Sequence, residues 1–76
     1  MNAERRKKLS EAKSKLDEAL NLIDEVISDE QEMFDNLSEG QQTSERGEKI
    51  QACLDLMAVA RGDIEDAQSN LEEASA

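Results

Sequence analysis

Apolar residues recur along this chain in two long stretches of heptad spacing, separated by a polar segment. Leu9, Leu16 and Ile23 stand seven residues apart, with Ala12, Ala19, Val26 and Met33 in a second row between them. Apolar positions at three- and four-residue steps line one face of an α-helix, and a heptad repeat marks a seam against another helix. Leu20, Ile27 and Phe34 widen the seam on one side, and Glu30 interrupts the first row near its end. The pattern predicts a helix over about residues 3–35. It returns with Ile50, Met57, Ile64 and Leu71 in one row and Cys53, Ala60, Ala67 and Ala74 in the other, predicting a second helix over about residues 44–74.

The segment between them, about residues 36–43, is expected to turn. Gly40 suits the left-handed conformation that often ends a helix. Ser44 suits the N-cap of the second helix, with Glu45 and Glu48 favourably placed in its first turn, and Thr43 is the rival cap. A short link folds two amphipathic helices back antiparallel. Aligning the first rows sets Leu9 against Leu71, Leu16 against Ile64 and Ile23 against Met57. The expected fold class is all-α, a single coiled-coil-like antiparallel helical hairpin.

Two helices do not enclose a core. Leu22, Ile23 and Val26 crowd the first helix, and Leu56, Met57 and Val59 the facing part of the second, on more than one seam. Burying a large apolar side chain contributes ~1.5–3 kcal/mol, so pairing the belts of two hairpins is favoured. A homodimeric four-helix bundle, or a higher oligomer, is expected. Gly62 falls on the outer face, where glycine costs ~1 kcal/mol relative to alanine.

Composition narrows the picture. Seventy-six residues allow one domain, and chains of this size usually need disulfides, metal or oligomerisation. Cys53 is the only cysteine and histidine is absent, so an intrachain disulfide and a Cys/His zinc site are excluded. Nothing of imidazole type can activate Cys53, which is expected to be a small buried apolar residue. The lack of proline and the single aromatic, Phe34, disfavour a sandwich or barrel. No stretch approaches the ~20 apolar residues of a membrane span, and the charged N-terminus is not a signal peptide. A soluble cytoplasmic protein with a reduced cysteine is expected.

The formal charge is −10, from 19 acids and 9 bases, which opposes general nucleic-acid binding. Residues 1–15 carry six bases and two acids, whereas residues 63–73 carry five acids and no base. The hairpin register sets these stretches side by side, so Arg5, Arg6, Lys7 and Lys8 are expected to find partners there.

The many carboxylates are spaced as an outer helix face. A hairpin offers no dry cleft to shift their pKa values for acid–base chemistry, so no enzyme, cofactor or metal is expected. Asp24, Glu25, Asp29, Glu32 and Asp35 form an acidic surface suited to a basic partner. Ser44 and Arg46, at a helix start, are candidates for anion binding together with Arg5 and Arg6 of a neighbouring subunit. The alternative for this group is a helix cap plus an Arg46 salt bridge to Glu39 or Asp35.

The run F-D-N-L-S-E-G-Q-Q-T-S-E-R-G-E-K, residues 34–49, resembles the turn of small acidic helical proteins encoded by bacteriophages and prophages. Those share a pattern similar to F-D-N-L-P-E-G/S-x-Q-x-S-E-R-G-E-K and an M-N-x-E-R-R-K start. Ser38 stands where that pattern usually has proline. The resemblance implies phage origin and a host-cell setting. Small proteins of this kind are often anti-defence factors, some of them anti-CRISPR proteins, others oligomeric sponges for immune nucleotide signals. Three functions follow as expectations. The first is stoichiometric binding to a host immune protein through the acidic surface. The second is capture of a small nucleotide by Arg5, Arg6, Ser44 and Arg46 between subunits. The third is a structural or assembly adaptor of the phage.

Overall fold

A computed structural model describes all 76 residues and contains only helices: α1 (Ala3–Asp35), α2 (Glu39–Gln42) and α3 (Glu45–Ala74). The molecule is a rod of 58 × 15 × 12 Å. A 33-residue helix is about 50 Å long at 1.5 Å per residue, so α1 runs nearly its whole length.

The long helices run antiparallel. Asp24 touches Arg61 and Asp17 touches Gln68, so seven residues forward in α1 match seven back in α3. The seam between them differs from the predicted one. Leu9, Leu16 and Ile23 face inward from α1, and Ile50, Met57, Ile64 and Leu71 from α3, as the first rows require. The second rows do so only in part: Ala12, Ala19 and Ala67 are half-buried, whereas Val26, Met33, Cys53, Ala60 and Ala74 are exposed. Leu20, Ile27 and Phe34 close the seam on α1, and Gly47, Leu54, Arg61 and Gln68 on α3. The row four residues after the first row holds Leu20, Ile27 and Phe34 on α1 and Leu54 with the long side chains of Arg61 and Gln68 on α3, where the rows three after hold mostly alanine. Turning each helix slightly toward the larger side chains buries more apolar area. The expected burial of Cys53 fails for the same reason: its row turns outward.

Only four of 76 residues are buried, Leu20, Gly47, Ile50 and Leu54. They lie on the turn-side half of the rod. Leu22, Val26, Met33, Leu56 and Val59 meet solvent.

The link is an ordered helical turn. α1 ends at Asn36, and Ser38 then caps α2: its hydroxyl accepts from the Gln41 N–H at 3.3 Å while the Gln41 side-chain Oε1 accepts from the Ser38 N–H at 3.0 Å. This reciprocal box satisfies two N–H groups at the helix start. Gly40 sits inside α2 with negative φ, correcting the expected left-handed helix end. Gln42 reaches back, its Nε2 donating to the Phe34 and Leu37 carbonyls at 3.2 and 3.4 Å. The last carbonyls of a helix lack intrahelical partners, and Gln42 supplies them here. Gly47 completes the turn. A Cβ there would lie 2.6 Å from the Gln41 carbonyl oxygen and closer still to that of Gln42. Only glycine lets α3 pass this near to α2. Gly62, by contrast, faces open space.

Candidate functional site

The two broad sides of the hairpin differ in character. On antiparallel helices, positions three residues after the seam row turn to one side on both helices, and positions four after turn to the other. The second side is closed by polar side chains. Arg61 Nε and Nη2 donate to the two Asp24 carboxylate oxygens at 2.6 and 3.2 Å, and Nη1 donates to Glu65 at 2.6 Å. Gln68 Nε2 donates to Asp17 at 2.6 Å and to the Lys13 carbonyl at 3.4 Å. The forked contact holds the Asp24 carboxyl below its ordinary pKa, chiefly through the hydrogen bond from Arg61. The same hydrogen bond raises the Arg61 guanidinium, with the charges of Asp24 and Glu65 adding to it.

The first side is open and apolar. Val26 and Met33 from α1 and Cys53 and Ala60 from α3 lie along it, with Leu22 and Leu56 at its edges. Leu56, Leu22 and Val59 are 71, 63 and 62 % exposed, values unusual for branched apolar side chains. Of the six residues expected at an oligomer interface, Leu22, Val26, Leu56 and Val59 stand on the surface. Ile23 and Met57 are half-buried in the intrachain seam.

The acidic surface occupies the outer face of α1. Glu25, Asp29, Glu32 and Asp35 are exposed, and none has a cation within 4.0 Å. Asp35 accepts from Gln31 Nε2 at 3.0 Å. Asp24 stands apart from the other four, because it is committed to Arg61. Between Lys15 and Arg46 the chain carries ten acids and no base. Arg61 is the one cation that reaches across to that run from the partner helix.

Two charge expectations fail. The basic N-terminal run makes no ion pair with the acidic end of α3. Lys8 pairs only with Glu4 on its own helix, at 4.0 Å, and Gln68 makes the cross-helix contact in that half. Arg46 has no salt bridge to Glu39 or Asp35, and Lys49 pairs with Glu45 instead, at 3.3 Å. Ser44 holds the N-cap backbone position, but its hydroxyl donates to the Gln41 carbonyl rather than accepting from α3. Arg5 and Arg6 begin α1, whereas Ser44 and Arg46 begin α3 at the other end of the rod. One chain therefore does not bring these four together.

Arg61, Gln42, Gly47 and Gln68 position the structure and were not singled out from the sequence. Arg61 and Gln68 sit seven and fourteen residues after Leu54, on the seam's edge row, where a long polar side chain reaches the partner helix. Gly47 is seven before Leu54 on the same row, a position that fits close backbone approach. No group of three His, Cys, Asp or Glu converges as a metal site, and no helix is long and apolar enough to cross a membrane. No protein-family model, curated protein or solved structure matches the chain.

Proposed function

We propose that this chain is a stoichiometric binding protein of phage counter-defence. It docks the acidic outer face of α1 on a basic surface of a host immune protein. The observation that supports this most is the run of Glu25, Asp29, Glu32 and Asp35, exposed and without cation partners on a single rigid helix. A continuous helix fixes the spacing of those carboxylates, so they meet a partner without an ordering cost in the backbone. Like charges gathered on one face also speed encounter with a basic surface and make it salt-sensitive. The counter-defence setting rests on the resemblance of the turn at residues 34–49. Nucleotide capture by Arg5, Arg6, Ser44 and Arg46 is less supported, because the four are split between the ends of the rod and the Ser44 hydroxyl is engaged.

The test is capture from a host lysate by the wild type and by Glu25→Lys/Glu32→Lys. A partner held at about 0.1 M salt and released near 0.5 M is expected, since the screening length falls by roughly half over that range. The same partner is expected to be lost with the charge reversal. A partner held equally by both forms, or none, overturns docking through this face.

We also infer that the working form is a homo-oligomer, the four-helix bundle being the smallest that covers the open side. The chain exposes 5642 Å² of accessible surface, whereas a compact monomer of 8.5 kDa exposes roughly 4,700 Å². The excess, together with Leu22, Val26, Met33 and Leu56 in solvent, is what a second copy would remove.

A further inference from the structure

Resting on that self-association, we propose that the open side pairs two copies in antiparallel register. In this arrangement α1 packs on α1 about Leu22, and α3 packs on α3 beside it. Three observations carry it.

The edge of the open side on α1 is complementary to itself. Along α1 the edge row reads Lys15, Leu22, Asp29. The row has a base seven residues before its leucine and an acid seven after. A row of this kind is complementary to itself only when run backwards. With Leu22 against Leu22, Lys15 of each copy meets Asp29 of the other. Such edge charges fix register and partner in paired helices.

Packing agrees. In this register Val26 faces Ala19 of the second copy and Met33 faces Ala12, large against small, so the helices stay evenly spaced. The opposite arrangement, with both turns at one end, sets α1 against α3. It would place Ala19 on Ala60 and Met33 beside Arg46, crowding one end and opening the other.

Charge agrees at the scale of the whole helix. α1 carries bases at its N-terminus and acids at its C-terminus, with no base in its last turn. That distribution opposes its own macrodipole. Within the hairpin, α3 leaves the C-terminal acids of α1 beside Glu45, Arg46, Glu48 and Lys49, two of each sign. An antiparallel second α1 instead sets residues 5–15, with six bases, along residues 29–39, with five acids and no base. Asp29 then belongs to the interface rim, and Glu25, Glu32 and Asp35 remain on the outer face for docking.

Cross-linking and charge exchange test the register. In a Cys53→Ser background, chains bearing only Leu22→Cys are expected to form a disulfide-linked dimer under oxidation, because the side chain meets its own copy across the twofold axis. Cross-linking of Leu22→Cys chains only when they are mixed with Leu56→Cys chains overturns the antiparallel register. Independently, Lys15→Asp is expected to weaken dimerisation by roughly tenfold in sedimentation, since symmetry repeats the like-charge contact. Adding Asp29→Lys restores it, and adding Asp63→Lys does not. Rescue by Asp63→Lys instead overturns the proposal. A wild type that sediments as an 8.5 kDa monomer at roughly 0.1 mM overturns self-association and this register together, while leaving docking through the acidic face standing.

Discussion

Single residues decide how tightly the turn is drawn. Gly47 and Gly62 both lie inside α3, where replacement by alanine ordinarily stabilises by up to ~1 kcal/mol. Their surroundings reverse the outcome at one of them. At Gly62 an added Cβ meets nothing, so Gly62→Ala is expected to raise the melting temperature by several degrees. At Gly47 the added Cβ meets the carbonyls of Gln41 and Gln42, which are backbone and cannot swing aside. Gly47→Ala is expected to cost about 1–3 kcal/mol, the range for forced backbone shifts, and thermal unfolding of the pair of variants measures both signs. Asp24 gives a second residue-scale expectation. Arg61 holds its carboxyl below the ordinary value, so the folded chain binds a proton there less readily than the unfolded chain does. Stability from the pair is therefore complete above the ordinary carboxylate range and is lost as pH falls through the lower folded value. Asp24→Asn is expected to melt below the wild type at pH 7, with the gap closing as pH falls below about 4. A gap that persists in acid would mean that the contact acts by shape and not by charge.

At the scale of elements, the heptad rows make both long helices legible, because alternate three- and four-residue steps of Leu, Ile and Met admit no strand. The antiparallel register follows from the same rows, and the Asp24–Arg61 and Asp17–Gln68 contacts agree with it. The side on which the seam closes is less legible. Each first row is flanked by apolar residues both three and four positions on, and the choice depends on summed side-chain volume across two helices. Leu20, Ile27, Phe34 and Leu54 prevail over Ala12, Ala19, Ala60 and Ala67. That small rotation moves Cys53 and Val26 into solvent and brings Arg61 within reach of Asp24. The turn shows a different limit. Ser38 and Gln41 do carry the spacing of a capping box. Gly40 draws attention as a helix end, yet the hydrogen bonds from Gln42 to Phe34 and Leu37 join residues five and eight apart, and no local periodicity announces them. The outer-face spacing of Asp24, Glu25, Asp29, Glu32 and Asp35 made their exposure legible, but not the commitment of Asp24 to Arg61. The Arg5, Arg6, Ser44, Arg46 group joins opposite ends of one rod, and spacing along the chain does not reveal that distance.

For the molecule as a whole, area and charge set the terms. A rod with four buried residues gains little from its own core, and its formal charge of −10 repels itself. Pairing two rods raises the total charge, so association is favoured only if apolar burial and the alignment of opposite ends outweigh that repulsion. The open side supplies the apolar part through Leu22, Val26, Met33 and Leu56. The separation of bases and acids along α1 supplies the alignment. Folding and association are then coupled, and stability depends on protein concentration. A tenfold increase in chain concentration adds about 1.4 kcal/mol to such a dimer. For a unit of this combined size, the melting temperature followed by helical circular dichroism is expected to rise by roughly 3–6 °C per tenfold increase. Leu56→Glu places a carboxylate at the edge of the open side, where association would bury it. Its melting temperature is expected to be lower than that of the wild type and flat with concentration. A wild-type melting temperature that is itself flat over two decades of concentration would mean that the hairpin stands alone, with its exposed leucines held for a partner other than itself.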